Sequence, residues 1–218
     1  MPFFAPIPDP PDEPSHDQVV AYDFPWQRPE HWLPALGDTG IVLARTETTA
    51  VFLSVEAVYP RGLALDLQAR IHPDHLAEEG LPWSHDPIGT RRSALRLGLE
   101  WPDGSRAVAE EGWAPDATTS APNLAMAGGG GGGLSWSYRM WLTPLPPAGP
   151  VTVHVLWEAR GIPETSVEWD LSAIVGRAGD AVELWPLPPP PAEHGWMAYG
   201  PMRGASYAAA ETDDEGER

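Results

Sequence analysis

The stretch that decides the fold runs from Leu63 to His72 and reads Leu63-Ala64-Leu65-Asp66-Leu67-Gln68-Ala69-Arg70-Ile71-His72. After Ala64, apolar and polar residues alternate without error. A period of two is typical of a β-strand with one buried face and one wet face. Because parallel strands are usually covered on both faces, one-sided strands favour antiparallel sheets, so the stretch predicts an all-β, antiparallel fold.

Two further stretches, Leu95 to Trp101 and Val151 to Trp157, repeat the alternation. Turn sequences separate the strands, and Pro102-Asp103-Gly104 is a hairpin signal. We expect strands at about 40–46, 50–59, 62–72, 93–101, 105–110, 134–143, 151–158 and 164–171. This series predicts a two-sheet β-sandwich, immunoglobulin-like or jelly-roll-like in topology.

One short C-terminal helix is predicted after the strands, with Asp170 or Ser172 as its cap. Its apolar residues fall at helical spacing: Ile174, Ala178, Ala181 and Trp185.

The composition predicts three parts. Residues 1–38 form a proline-rich, partly disordered arm, because such a composition buries little apolar surface. The aromatic rings of Phe24, Trp26 and Trp32 indicate that the second half of the arm lies against the sandwich. The sandwich domain spans 39–186, and 187–218 form a proline-rich and then acidic, disordered tail.

Charge and residue usage exclude several classes of function. The net charge is −18, with 31 acidic and 13 basic residues, so binding to nucleic acid or to an anionic membrane is not expected. The chain has no cysteine, which excludes disulfides, zinc–thiolate sites and a cysteine nucleophile. No signal-peptide or membrane-span pattern occurs, so a cytoplasmic location is the default expectation. Separately, no cofactor is expected.

The chain resembles an uncharacterised actinobacterial protein family. The resemblance rests on the proline-rich N-terminus, Tyr59-Pro60-Arg61-Gly62, the glycine run, Trp141 to Pro150 (WLTPLPPAGP) and Gly161 to Thr165 (GIPET). It covers most of residues 1–186. It implies a bacterial, actinobacterial source and brings no activity or catalytic residue with it.

The glycine run from Gly128 to Gly133 is interpreted as a flexible tether between two parts of the sandwich. A phosphate-binding loop is the alternative. It is disfavoured because a strand rather than a helix follows and because the chain has no lysine.

One cluster has the residue types of a metal site. His72, Asp74, His75 and His85 combine imidazole and carboxylate ligands that suit zinc or iron. A solvated loop is favoured over the metal site, since Pro73 and Pro87 mark turns and the spacing matches no specific motif.

Several carboxylates fall on the polar faces of the predicted strands: Glu56, Asp66, Glu100, Glu158, Glu168 and Asp170. Two of them at a suitable separation could serve as the acid and base of a glycosidase. Cross-strand pairing is favoured over this, since basic residues share the same faces: Arg70, Arg96, Arg139 and His154.

The tryptophans divide by phase. Four lie on the apolar phase and are expected in the core: Trp101, Trp136, Trp157 and Trp169. Trp141 has the opposite phase and is expected to point outward, where the arm or the proline segment could cover it. Trp83 and Trp113 lie in two long predicted loops, at about 73–92 and 111–133.

These observations favour a non-catalytic interaction or structural module. Its contact residues would be Trp83, Trp113 and Trp141, and its partner a protein. A carbohydrate-binding module is an alternative and requires two exposed, coplanar rings. A metal-dependent enzyme is a second alternative and requires the cluster of His72, His75 and His85 to converge.

Overall fold

The computed structural model describes residues 23–24, 27–73, 95–109, 121–132 and 134–189. Residues 23–186 belong to one compact unit, and 187–189 belong to a second one, in which these three residues adopt neither helix nor strand. The fold is an all-β, antiparallel sandwich with one short helix, as predicted. The strands of the described part are β1 Trp32–Leu33, β2 Ala35–Arg45, β3 Thr49–Tyr59, β4 Gly62–Ile71, β5 Arg96–Glu100, β6 Arg106–Val108, β7 Asn123–Gly132, β8 Ser135–Thr143, β9 Pro150–Trp157, β10 Ile162–Asp170 and β11 Val182–Glu183.

The strands form two main sheets and one small one. The five-stranded sheet has the order β2-β3-β4-β8-β7, and the four-stranded sheet has the order β10-β9-β5-β6. β1 and β11 pair separately. Every pairing is antiparallel, as one-sided alternation predicts.

The apolar phases of both main sheets form one core. Leu65 and Leu67 of β4 are buried in the same cluster as Leu99 of β5 and Val153 of β9. Trp136 of the five-stranded sheet meets Trp157 of the four-stranded sheet edge to face, with 6.1 Å between ring centroids. Trp101 is also buried, so three of the four tryptophans predicted in the core lie in it, and the fourth, Trp169, is half-buried and packs against it.

Turn chemistry places the hairpins where the sequence predicts them. Tyr59 pairs with Gly62, so Pro60-Arg61 is a two-residue loop between β3 and β4. Between β5 and β6, Gly104 adopts φ +82°, which favours glycine, and donates to the Trp101 carbonyl. Asp103 accepts from the backbone N–H and the hydroxyl of Ser105.

The glycine run was interpreted as a tether, and this prediction is wrong for the residues described. Gly128 to Gly132 lie in β7, which pairs with β8. A Cβ atom at Gly129 would lie 2.6 Å from Cδ1 of Tyr138, and one at Gly131 would overlap the ring of Trp136. Glycine is therefore required at these two positions because the rings of the neighbouring strand occupy the side-chain space.

The predicted end of the arm at residue 38 falls inside a strand, since β2 begins at Ala35. Of the rings expected to dock the arm on the sandwich, Trp26 lies outside the described residues, whereas Trp32 does lie against the sandwich. Trp32 packs on a small cluster outside the main core. Asp23 accepts two hydrogen bonds from the guanidinium of Arg61, at 2.9 and 2.5 Å.

The helix α1 spans Ser172–Val175 and continues as a 3₁₀-helix over Gly176–Asp180. The predicted cap, Asp170 or Ser172, is wrong: the N-cap is Leu171, which makes no side-chain capping hydrogen bond, and Asp170 instead accepts from the backbone N–H of Ser172 at the entry to the helix. The helical segment ends at Asp180, so Ala181 and Trp185 lie outside it. Within the described ranges, no helix has the length and apolarity needed to cross a bilayer.

Candidate functional site

The predicted contact residue Trp141 is not exposed. Its side chain does leave the main core, opposite in phase to its neighbours, but it is only 3% accessible. It packs with Tyr59, Ala64 and Trp32, and the Tyr59 ring meets it edge to face at 5.5 Å. Burial raises the pKa of Tyr59, consistent with a dry cluster. The expected exposed anchor is therefore corrected to a buried one.

The other predicted site residues lie largely beyond the described ranges. Trp83, Trp113, Asp74, His75 and His85 are all outside them. His72 is described and is exposed at the end of β4, with its backbone N–H on the Thr48 carbonyl. Among the described residues no three potential ligands cluster around a metal position.

The carboxylates of the strand faces separate between the two sheets. Asp66 lies on the outer face of the five-stranded sheet and is 6% exposed. Its register partner is Arg139, but its hydrogen bonds come from Ser137 and Gln68. Glu100 lies on the outer face of the four-stranded sheet, so these two acids do not form one site.

A groove of about 290 Å³ opens on the outer face of the four-stranded sheet. We call it the Gly98 groove. The residues that define it are Arg96, Gly98, Glu100, His154, Leu156 and Glu164, with Arg106 and Val108 at its β6 side. Gly98 lies opposite His154 on one neighbouring strand and opposite Val108 on the other, so it forms the centre of the floor.

Gly98 has no packing reason to be glycine. Its backbone φ is not in the positive range, and a Cβ atom there would meet only ordinary contacts, 3.7 Å to the Ala107 oxygen and 3.9 Å to Cγ2 of Val108. Glycine inside a strand weakens the strand, and it often marks a place where a ligand or another backbone approaches closely. Here the missing side chain deepens the groove.

Charged side chains surround this floor. Glu100 pairs across the strands with Arg106, whose Nη2 donates to Oε1 at 2.8 Å. His154 Nε2 lies 3.3 Å from the other oxygen, Oε2, although the contact lacks hydrogen-bond alignment. The hydrogen bond from Arg106 is the main reason that the pKa of Glu100 is lowered, and the same bond raises the pKa of Arg106. Both carboxylate oxygens of Glu100 therefore already face a partner.

Two charges of the groove are not paired. Within the described part of the chain, neither Arg96 nor Glu164 has a hydrogen bond or an ion pair. Arg96 of β5 lies opposite Leu156 of β9 in the register. Glu164 lies near the start of β10, which pairs with the other edge of β9. The groove thus offers a cation and an anion to a ligand, separated by an apolar side chain.

Sequence reasoning did not find this groove. The one available signal was Gly98 itself, which occupies a polar-phase position inside the alternation from Leu95 to Trp101. The residues around it were expected as cross-strand ion pairs. Of the basic residues named for such pairing, His154 lies 3.3 Å from Glu100, whereas Arg96 has no acidic partner among the described residues. Arg106, which pairs with Glu100, was not among them.

No family model matches the chain, and neither the curated proteins nor the solved structures include a match to it. The actinobacterial resemblance therefore stays a prediction.

Proposed function

We propose that this protein is a non-catalytic β-sandwich module that binds its ligand in the Gly98 groove. The observation that carries the proposal is Gly98, a glycine in the middle of a strand that neither backbone conformation nor packing requires. Gly130 of β7 is likewise not required by packing, but it does not line the groove. Gly98 differs because it forms the centre of the groove floor between His154 and Val108, where a missing side chain leaves room for a ligand.

The chemistry of the groove supports binding rather than catalysis. Glu100 is engaged by Arg106 and faces His154, so it lacks the freedom of a general base. The remaining described lining is apolar or carries single charges at the two sides. Such a lining can orient a ligand, and it supplies no nucleophile with an adjacent base.

The first test concerns stability. We expect Gly98→Ala to leave the free energy of unfolding in urea unchanged, or to raise it by up to about 1 kcal/mol. Gly130→Ala is the matched control. Like Gly98, Gly130 faces outward from a strand, and a Cβ atom there would have no other atom within 4 Å. A clear loss of stability in Gly98→Ala alone would give the glycine a packing role and remove the basis of the proposal.

The second test concerns binding. A defined set of small-molecule fragments at millimolar concentration is added to the wild-type protein and to Gly98→Val, and binding is followed by saturation-transfer NMR. We expect fragments that bind the wild type and not the variant, because the valine side chain fills the floor. If every fragment gives the same saturation-transfer signal with the wild type and with Gly98→Val, the groove is not a binding site and the proposal is wrong.

A further inference from the structure

We propose that the ligand of the Gly98 groove is a small zwitterion, namely a short peptide with a free ammonium and a free carboxylate on an apolar body. This inference rests on the proposed function and deepens it. It follows from the two unpaired charges of the groove, from the apolar surface between them and from the charge of the whole chain.

The two unpaired charges lie on opposite sides of Leu156. Arg96 is on β5, Leu156 on β9 and Glu164 on β10, which are consecutive strands of the four-stranded sheet. Neighbouring strands are about 4.8 Å apart, so the two backbones are separated by roughly 10 Å. Side chains of this length that lean inward can reach both ends of an extended dipeptide.

The remaining charges of the groove largely cancel. Glu100 is neutralised by Arg106, which donates to it at 2.8 Å. Among the described residues, a ligand therefore meets one guanidinium without a partner, that of Arg96, and one carboxylate without a partner, that of Glu164. Guanidinium groups bind carboxylates with two parallel hydrogen bonds, and a carboxylate accepts readily from an ammonium.

The charge of the whole chain selects between ligand classes. With a net charge of −18, the protein repels a purely anionic ligand. A purely cationic ligand would be attracted by this field but would leave Arg96 without a partner. A zwitterion has no net charge to be repelled and pairs with both groups.

The floor and walls favour an apolar body between the two charges. Leu156 and Val108 offer aliphatic surface, and Gly98 leaves a depression between them. A volume of about 290 Å³ is at the small end for ligand pockets, which suits one or two amino-acid residues.

Four matched probes test this inference by isothermal titration calorimetry with the full chain. They are leucyl-leucine, N-acetyl-leucyl-leucine, leucyl-leucine amide and N-acetyl-leucyl-leucine amide, which are zwitterionic, anionic, cationic and neutral. We expect leucyl-leucine to bind at least about tenfold more tightly than each of the capped probes, since each cap removes one charge-assisted contact.

Variants assign each contact to its residue. Arg96→Gln is expected to abolish the preference for the free carboxylate, and Glu164→Gln the preference for the free ammonium. Glu168→Gln is the matched control, because Glu168 lies on the same outer face of β10 and does not line the groove. It should leave the affinity for leucyl-leucine unchanged.

Several outcomes would overturn the inference. Equal binding of leucyl-leucine and N-acetyl-leucyl-leucine would identify a site for a carboxylate alone, such as the C-terminal end of a partner protein. Equal binding of all four probes would identify an apolar groove. In both cases the proposed function stands and the ligand class is wrong. If none of the four binds, the zwitterion inference falls, and the fragment comparison of wild type with Gly98→Val decides separately on the proposed function.

Discussion

The outer faces of the two main sheets have the same strand alternation, but one is covered by a preceding segment and the other has an open groove. On the five-stranded sheet, Trp141 points outward and is buried with Tyr59 under Trp32 of the preceding arm. On the four-stranded sheet, Gly98 points outward and opens a groove. The alternation decides the direction of a side chain in both sheets. Whether an outward side chain meets water depends on which other segment returns to cover it.

The polar residues of the two faces follow the same contrast. On the covered face, Asp66 is almost fully buried and accepts hydrogen bonds from Ser137 and Gln68. On the open face, Arg96 and Glu164 remain unpaired within the described part of the chain. Asp66 has its hydrogen-bond partners inside the protein, as most buried polar groups do, whereas an exposed charge is available to a ligand.

The largest effect is expected at the centre of the covered face. Trp141→Ala removes a large buried ring and should lower the free energy of unfolding by about 3–5 kcal/mol, measured in urea. Leu156→Ala on the open face is the control and should cost less than about 1 kcal/mol, because Leu156 is partly exposed. Equal losses of stability would show that the covered face and the open face contribute alike to the free energy of unfolding.

The edge strand β7 provides a matched pair of glycine variants. Gly129→Ala should lower the free energy of unfolding by about 1–3 kcal/mol, because its Cβ would lie 2.6 Å from Cδ1 of Tyr138 and 2.9 Å from the Ser137 oxygen. Gly130→Ala, one residue away and facing outward, should stay within about 0.5 kcal/mol of the wild type. Urea denaturation measures both. Similar losses at the two positions would contradict the required role of the glycine.

Most of the strands could be predicted because a period of two is a local property of the chain. The stretches around Leu65, Leu99 and Val153 all bury their apolar phase, and the hairpin at Asp103-Gly104 forms where its residue types indicate. β7 was missed because a glycine run has no alternation to see. The need for glycine comes from Trp136 and Tyr138 on the neighbouring strand, and only the register reveals it.

The groove could not be predicted from the sequence for the same reason as β7, because it depends on which strands pair and in which register. Gly98 was visible as a glycine at a polar-phase position, and the predicted β5–β6 hairpin brings Val108 beside it, but His154 is brought there by pairing with the distant strand β9. Trp141 was correctly assigned to the outward phase. Its burial under Trp32 depends on a contact between residues more than a hundred positions apart, which no local pattern carries.

A smaller effect is expected where the arm is fastened to the covered face. Arg61→Gln removes the forked pair with Asp23, and since both side chains are about one-third exposed the loss should be only about 1 kcal/mol. Amide hydrogen exchange at Trp32 and Leu33 should become faster, because the Arg61–Asp23 ion pair holds the segment that leads into them. Arg45→Gln, at an exposed arginine, is the control. Unchanged exchange at Trp32 would show that the arm is held by its apolar contacts alone.

The smallest effect concerns the ion pair of the open face and is a change in titration. Because the hydrogen bond from Arg106 is the main cause of the lowered pKa of Glu100, Arg106→Gln should raise that pKa toward its ordinary value, and carbon-detected NMR of the carboxyl group measures it. A lowered pKa in the folded state means that the pair stabilises the protein at pH values above the ordinary glutamate pKa. This stabilisation is lost as the pH falls through the lowered pKa of Glu100, so the variant should show a weaker dependence of stability on pH in this acidic range. Arg139→Gln, on the outer face of the other sheet, should leave the pKa of Glu100 unchanged. If Glu100 titrates alike in Arg106→Gln and in the wild type, its charge is not neutralised by Arg106, and the groove offers a ligand a second free carboxylate in addition to Glu164.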